Sequence, residues 1–364
     1  MTDRVSRWLV FVVLLGLPSV AAAQGASGSN PDAQSIKVGG TIFYDYTYTR
    51  EPKSTDADGN RISPNAFNVA RAYLNITGTL SHVVSFRITP DAKRETGIGS
   101  SLNGSLTFRL KYAYAQFNMD DWMPAGTQIR VGIIQTPFID SQEGVYRYRF
   151  QGTVFAERDG GMSSADAGVS IKTPLKGNYG DVQVGLYNGE GYSKAESNDQ
   201  KSIQLRATIR PLPNAEGPVR GLRVTAFYDA DHYQQNAERR RFIAAGMFEH
   251  ARLNAGVDFM VGRDQPSVSV PVTDSKGVSF FVTPFFHEKG NGWEGLFRFD
   301  HWDADTDVAG TQNRIIVGGA YWFPHPGGSA TAALLFDYER VSYADFAIAP
   351  ARQQRFAVHG LINF

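Results

Sequence analysis

The sequence predicts an all-β protein, a transmembrane antiparallel β-barrel of about sixteen strands with short periplasmic turns and longer extracellular loops. Three observations support this fold class. Most of the chain falls into segments in which apolar and polar residues alternate with period two. The connections between these segments alternate between short and long ones. The last segment ends on an aromatic residue at the carboxyl terminus, Phe364.

The first residues predict an exported protein. Arg4 and Arg7 are followed by an apolar stretch that ends at Leu17, and three alanines at 21–23 come directly before Gln24. This order is typical of a secretory signal peptide. The apolar stretch is too short for a membrane-spanning helix, which needs about 20 residues. We therefore expect a signal peptide at 1–23, a flexible leader at 24–35 and a barrel at 36–364.

The alternation is clear in the first candidate strand, 36–50. Isoleucine, valine and tyrosine occupy one face there, and lysine, threonine and aspartate occupy the other. Segments of this kind predict strands with one apolar face. The sixteen predicted strands are 36–50, 66–79, 82–91, 104–118, 127–137, 163–174, 180–189, 200–210, 221–231, 239–249, 252–262, 276–286, 293–303, 312–323, 329–341 and 352–364.

The connections and the last strand predict how the barrel is oriented. Short links such as 80–81 and 250–252 contrast with longer polar ones such as 51–65. In outer-membrane barrels the turns are periplasmic and the loops are extracellular, so an even number of strands leaves both termini on the periplasmic side. The last strand places Phe356 and Phe364 on its apolar face, and such a strand resembles the signal read by the barrel-assembly machinery. We expect that machinery, outer-membrane lipid and lipopolysaccharide as partners.

Composition excludes several other classes. The chain contains no cysteine, and its 36 lysines and arginines balance 36 aspartates and glutamates. No overall field would attract nucleic acid. After the signal peptide no apolar run approaches the length of a membrane-spanning helix. Without disulfides the chain must be stabilised by burial and backbone hydrogen bonds, which fits a closed barrel as well as a soluble domain.

Side chains that alternate with the apolar face should line a water-filled lumen. On the second to fifth predicted strands these inward residues are mostly basic, with Asp91 as a nearby acid. They would attract anions to one wall, although a solvated wall that merely keeps the lumen wet remains the alternative. The basic residues are Arg71, Arg87, Arg109, Lys111 and Arg130.

The longest connection, near 138–163, follows the fifth strand. A loop of this length with many aromatic residues is expected to fold into the lumen as a constriction. Its arginines, Arg147, Arg149 and Arg158, could bind phosphate, sulfate or carboxylate, because a guanidinium group presents a planar fork of donors. Four acids in the same loop outnumber them. The loop alone therefore does not establish a preference for anions.

Several motifs together resemble the phosphate-selective porin O and P family. Residues 67–74 followed by 78–80 are similar to its early strand and turn, 130–138 to its strand ending in Thr-Pro-Phe, and 155–158 to its loop motif; 293–299 and 320–326 occur at the expected places. The resemblance covers nearly the whole mature chain. It implies a sixteen-stranded trimeric porin whose third loop narrows the channel and whose basic residues conduct anions. Gln135 departs from the pattern, because many relatives have lysine there.

Enzymatic and metal-binding motifs are not matched. The sequence has no Gly-x-Ser-x-Gly, no His-Glu-x-x-His and no P-loop. Asp303, Asp305 and Asp307 have the spacing that opens a calcium loop, but Val308 and Arg314 stand where glycine and a bidentate glutamate are needed. We predict no catalytic residue, no metal site and no cofactor.

The sequence thus predicts an outer-membrane porin for passive diffusion of small hydrophilic solutes, with a preference for anions and with phosphate as a candidate solute. We expect a homotrimer and no nucleic-acid partner. Two alternatives remain. One is a general porin of weak charge preference, and the other is a non-conducting structural or adhesion barrel.

Overall fold

The computed structural model describes residues 34–97, 99–325 and 330–364. The predicted signal peptide, most of the predicted leader and Pro326 of the last family motif lie outside these residues. No helix within the described ranges is long and apolar enough to cross a membrane.

Sixteen antiparallel strands, numbered β1 to β16 in chain order, form a closed barrel in which each strand pairs with its neighbours in sequence and β1 pairs with β16. The sixteen predicted strands are confirmed, with small shifts at their ends. Their bounds are Ser35–Glu51, Asn65–Thr79, Val84–Arg94, Leu106–Asn118, Gln128–Gln135, Ala165–Pro174, Gly180–Tyr187, Ser202–Ile209, Leu222–Gln234, Ala237–His250, Leu253–Asp264, Thr273–Pro284, Gly292–Asp303, Thr311–Trp322, Thr331–Ala344 and Gln353–Asn363.

Short elements lie in the connections. A small hairpin of Ser54–Thr55 and Arg61–Ile62 lies between β1 and β2. Two α-helices, α1 (Pro137–Tyr146) and α2 (Phe155–Arg158), lie between β5 and β6. Two 3₁₀ turns, Lys176–Asn178 and Pro218–Gly221, lie between β6 and β7 and between β8 and β9.

Alternation along each strand separates an outer apolar face from the lumen. On β16 the outward residues Phe356 and Ile362 are exposed, whereas the inward residues Ala357 and His359 are buried. Exposed apolar side chains on the outside of a barrel are expected where lipid surrounds it. Phe67 and Phe108, both at least 80% exposed, show the same orientation on β2 and β4.

Two irregularities shift this alternation on the strands that carry the basic residues. The β1–β2 register shifts between Phe43 and Tyr44, opposite Arg71 and Val69, and the β3–β4 register shifts between Thr89 and Pro90. A bulge inserts one extra residue and redirects the side chains beyond it. On β2 it allows both Val69 and Leu74 to face outward while Arg71 faces the lumen.

The difference in length between the connections at the two ends of the barrel is less regular than the sequence predicts. We call the end that holds Ser35 and Asn363 the terminal end and the opposite end the distal end. Most distal connections are longer, but 235–236 is a two-residue distal turn and 210–221 is a long terminal connection. Asn236 has a φ of 63°, and asparagine tolerates this left-handed conformation better than most residues. The tight distal turn is therefore sterically possible.

Candidate functional site

The connection between β5 and β6, residues 136–164, folds into the barrel; we call it the inner loop. It packs first against the wall formed by β7 to β12. The ring of Phe138 lies 5.5 Å from that of Phe227 on β9, and the ring of Tyr146 lies 5.1 Å from that of Phe281 on β12. The side chain of Asn254 donates a hydrogen bond of 2.8 Å to the Val145 carbonyl. These contacts hold α1 against one side of the lumen.

The inner loop then crosses the lumen. Arg147 ends α1 with a φ of 65°, which turns the chain. Tyr148 packs edge-on against Trp322 on β14 at 6.3 Å, and Phe150 packs against Phe43 on β1 at 6.4 Å. On its return the loop places Phe155 5.8 Å from Trp302 on β13. Among the described residues no aromatic ring contact of the loop reaches β2 to β5, and the loop approaches this part of the wall through the charged side chains of Glu143 and Arg149.

Ion pairs reinforce the far side of the inner loop. The buried carboxylate of Glu339 on β15 accepts hydrogen bonds from Gln151 at 3.1 Å and from Arg158 at 3.5 Å, and it also pairs with Arg314 and Arg355. These four donors join the loop to β14, β15 and β16. Within the loop, Gly152 leaves room for the Arg158 side chain, because a Cβ atom there would overlap the guanidinium group.

The five basic residues predicted on β2 to β5 all lie on the lumen side of the wall. Arg71 Nη1 lies 2.6 Å and Arg109 Nε 3.3 Å from the same oxygen of Asp91, which is fully buried. One carboxylate thus serves two guanidinium groups. Asp91 on β3 lies directly opposite Arg109 on β4, so both strands contribute to this cluster.

Arg87 and Arg130 lie nearer the terminal end and have only neutral hydrogen-bond partners among the described residues. Arg87 donates to Asn75 at 2.9 Å and to Thr89 at 3.0 Å. Arg130 donates to the side chains of three glutamines, at 116, 128 and 135, at 2.9 to 3.1 Å. Their positive charges are therefore positioned but not neutralised.

Lys111 is nearly buried, with its Nζ atom 5.0 Å from the ring centroid of Tyr73 and 5.3 Å from that of Tyr112. Cation–π contacts of this kind stabilise a charge without an acid. Lys93 adds a sixth cation that the sequence reading missed. It follows Asp91 by two residues on β3 and so shares its face; this spacing was the available signal.

We call these six side chains the basic wall: Arg71, Arg87, Lys93, Arg109, Lys111 and Arg130. Asp91 is the only acid in the four strands that carry them. The basic wall extends from Lys93 and Arg109 near the distal end to Arg130 near the terminal end, because strand register sets their order.

Tyr192, in the connection 188–201, is a second residue that sequence reasoning missed. Its hydroxyl group accepts a hydrogen bond of 3.0 Å from Arg71 and donates one of 3.3 Å to Asp91. The Arg109 guanidinium group lies 4.9 Å from the centre of its ring. The Tyr192 backbone N–H donates to the Ala165 carbonyl at 2.9 Å. This loop is thereby fixed at β6, and its tyrosine orients two guanidinium groups of the basic wall. No local motif marks such a long-range contact.

The three arginines predicted to bind anions from the inner loop all form ion pairs within the protein. Arg147 lies 3.1 Å from Glu294, Arg149 lies 2.6 Å from Glu143 and 3.4 Å from Glu157, and Arg158 approaches Glu339. The structure brings only Arg149 toward the basic wall, since it interacts electrostatically with Tyr73 and Arg71. Anion binding by these three residues stays a prediction.

The inner loop presents acids to the basic wall. Glu143 and Arg149 meet beside Lys111, and burial raises the pKa of the Glu143 carboxyl although Arg149 and Lys111 lower it. The narrow part of the lumen therefore has cations on the wall and a mixed ion-pair cluster on the loop. Opposed charges of this kind create a field across a pore.

Gln135, the departure from the family pattern, accepts a hydrogen bond from Arg130.

Comparison with known proteins agrees with this architecture. The family model described as phosphate-selective porin O and P matches residues 36–255. A search of curated proteins finds no match. An anion-selective porin from Comamonas acidovorans is similar in structure, with 12% identity, a TM-score of 0.62 and coverage of 91% of this chain and 100% of that chain. The outer membrane channel DcaP of Acinetobacter baumannii is also similar, with 12% identity, a TM-score of 0.61 and coverage of 91% of this chain and 97% of that chain. OmpT of Vibrio cholerae has 12% identity, a TM-score of 0.58 and coverage of 93% of this chain and 100% of that chain. At these identities the structures show the fold.

Proposed function

Because the chain belongs to the phosphate-selective porin O and P family, we propose that its lumen conducts small hydrophilic anions passively, with phosphate among them. The family and the closed sixteen-stranded barrel are those of outer-membrane porins, which are channels and not enzymes. By the topology of such barrels, the terminal end is periplasmic and the distal end is extracellular.

The observation that supports anion preference is the charge excess of the basic wall. Six cations share one carboxylate, and Arg87 and Arg130 are held by neutral groups only. A low-dielectric wall of one sign raises the local concentration of counter-ions. Anions entering the lumen would find donors at successive heights along this wall, and guanidinium groups suit phosphate oxygens. No chemical step is required.

A general porin of weak charge preference is the competing function. The specific observation that favours it is the acid set of the inner loop, in which Glu143 and Glu157 both contact Arg149. If these carboxylates offset the basic wall, anions and cations would pass equally well. A structural or adhesion barrel would conduct neither. Ion selectivity in a planar bilayer distinguishes all three.

Phosphate should reduce the chloride current of the wild-type channel if the basic wall binds it. Arg109→Gln removes one guanidinium group and leaves the close Arg71 and Asp91 pair in place. Losing a charge-assisted hydrogen bond costs roughly 1.5–3 kcal/mol, so half-maximal block should need about ten- to a hundredfold more phosphate. Single-channel recording in potassium chloride with added phosphate measures this shift.

A matched control is Arg263→Gln, which removes an arginine that is about half exposed and bonded to Glu238 and Asp274 on the distal ends of β10 and β12. It should leave the phosphate block unchanged. A wild-type chloride current that is insensitive to phosphate would contradict a phosphate site, and so would equal block in Arg109→Gln and wild type.

The preference for anions should increase as the pH falls through the raised pKa of Glu143. Burial raises this pKa above its usual value near 4.5. Protonation removes a negative charge from the loop side of the constriction, and the step should begin at a higher pH than for ordinary carboxylates. Glu143→Gln should show the acidic selectivity already at neutral pH and lack this step. Reversal potentials measured from pH 7 to pH 4 test the expectation, which an identical pH profile in the variant would refute.

We also propose the finer features that the family suggests for this chain. These are export by a cleaved signal peptide, insertion through the C-terminal strand by the barrel-assembly machinery, association as a homotrimer, and contact with outer-membrane lipid and lipopolysaccharide. Phe364 supports the second of these, because its backbone exchanges two hydrogen bonds of 2.9 Å with Gly40 and so continues the pairing of β16 with β1 beyond Asn363.

A further inference from the structure

A groove on the outside of the barrel has an apolar lower part and a basic upper part. The lower part, of about 340 Å³, lies on β1 and β14 to β16. Aromatic and branched side chains dominate its lining, and the rings of Tyr338 and Phe356 are 5.0 Å apart. Its principal lining residues are Tyr46, Tyr48, Phe336, Tyr338, Phe356 and Val358. This surface faces the hydrocarbon region and its border, where aromatic girdles occur in outer-membrane barrels.

The upper part is a cavity of about 670 Å³ between the connections 52–64 and 345–352. Tyr48 lines both parts, so they adjoin at this side chain. Arg50 lies at a β-bulge between Thr49 and Glu51, one step nearer the extracellular side than Tyr48, and its side chain lines this cavity. Lys53, Arg61 and Arg352 also line this cavity.

Positive charge in the upper cavity is largely unbalanced. Glu51 is its one acidic lining residue, and it binds Arg352 at 2.9 Å. Arg340, on the outer face of β15 above Tyr338, also interacts electrostatically with Glu51. Within the described ranges, no carboxylate lies within salt-bridge distance of Arg50, Lys53, Arg61 or Arg340. Five cations thus surround a single acid.

We propose that this two-part groove binds a phosphorylated lipid of the outer leaflet, with its acyl chains along the apolar part and its phosphate in the basic cavity. Arginine and lysine form charge-assisted hydrogen bonds to phosphate oxygens. Their positions just above an aromatic girdle match the headgroup level of a membrane. An uncharged lipid would fill the lower part and leave the cations without a partner.

A second copy of the chain fits this groove less well. Outward carboxylates at the extracellular ends of β10, β12 and β13 already pair with neighbouring cations: Glu238 with Arg240 and Arg263, Asp274 with Arg263, and Asp303 with Lys276. They would have to give up these partners to neutralise the basic cavity. Phosphate groups of the outer leaflet lie at this height and could neutralise the basic cavity without breaking these ion pairs.

The second outward cluster provides a matched control. Arg50→Gln, Lys53→Gln and Arg340→Gln together remove three cations without leaving a buried acid. Arg240→Gln, Arg263→Gln and Lys276→Gln remove three cations at the same level from the balanced cluster. Both triple variants change only outward or loop residues, so the reversal potential of the channel should equal the wild-type value. The lipid result is therefore separate from the proposed ion preference.

The test uses the full barrel refolded without native lipid, with native mass spectrometry to count bound lipid. Bis-phosphorylated lipid A should bind wild type at least tenfold more tightly than dephosphorylated lipid A. The first triple variant should lose this difference, whereas the control triple should retain it. Inorganic phosphate at the same concentration should not displace the lipid.

Three results would overturn the proposal. Equal binding of the two lipids would show that phosphate is not recognised. Equal loss in both triple variants would show a nonspecific charge effect. Dissociation of wild-type oligomers by the first triple substitution in the absence of lipid would assign the groove to a contact between copies of the chain.

Discussion

Replacing Glu339 with glutamine should release the inner loop and destabilise the barrel. The substitution keeps the shape of the side chain but removes the carboxylate that Arg158, Arg314 and Arg355 share. Glu339 is almost fully buried, and breaking a buried ion pair from one side typically costs about 3–5 kcal/mol, because it leaves charge uncompensated. Thermal unfolding of the folded form, followed by its heat-modifiable migration on a gel, measures the loss.

The same substitution should also change the current. With fewer contacts to β14, β15 and β16, the inner loop should move more within the lumen, so open-channel noise and mean conductance should rise. Glu238→Gln is the matched control, because Glu238 also contacts two arginines but on the outer surface, where ion pairs contribute little. If Glu339→Gln has the unfolding temperature and the conductance of the wild type, the loop is held by its aromatic contacts and not by this network.

Neutralising Arg87 and Arg130 together should reduce the preference for anions more than any other pair of changes on the basic wall. Both have neutral partners, so Arg87→Gln and Arg130→Gln leave no unpaired acid in the wall. At a distance of about 8 Å and an ionic strength of 0.1 M, one screened charge alters the energy of a passing ion by roughly 0.2 kcal/mol. Because anions and cations respond oppositely, the double variant should change the anion-to-cation permeability ratio about fourfold.

Reversal potentials in a salt gradient measure this ratio. The effect should shrink at 1 M salt, where the screening length falls to about 3 Å. The double variant Arg240→Gln and Arg263→Gln removes the same charge from the outer surface and should keep the wild-type ratio. An unchanged ratio in the Arg87 and Arg130 variant would show that the basic wall does not govern selectivity.

The strand order was predictable because it follows from a simple physical pattern. Each strand contacts lipid on one face and the lumen on the other, so the period-two alternation marks every barrel strand. The inward direction of Arg71, Arg87 and Arg109 followed from the same alternation. Turn lengths were a weaker guide, because Asn236 permits a two-residue connection on the extracellular side.

The interactions of the basic residues were not predictable from the sequence. They depend on strand register and on bulges, which decide that Arg109 meets Asp91 while Arg130 meets glutamines. The path of the inner loop depends on packing of Phe138, Phe150 and Phe155 against distant strands. The contact of Tyr192 with Arg71 joins residues 121 positions apart. Local sequence patterns do not predict such long-range contacts.

The reversal potential of the wild-type channel tests the central claim most directly. The purified barrel is inserted into a planar bilayer that separates concentrated from dilute potassium chloride, and the voltage at zero current is recorded. The charge excess of the basic wall predicts a value on the side of the chloride equilibrium potential. A value on the side of the potassium equilibrium potential would contradict this account.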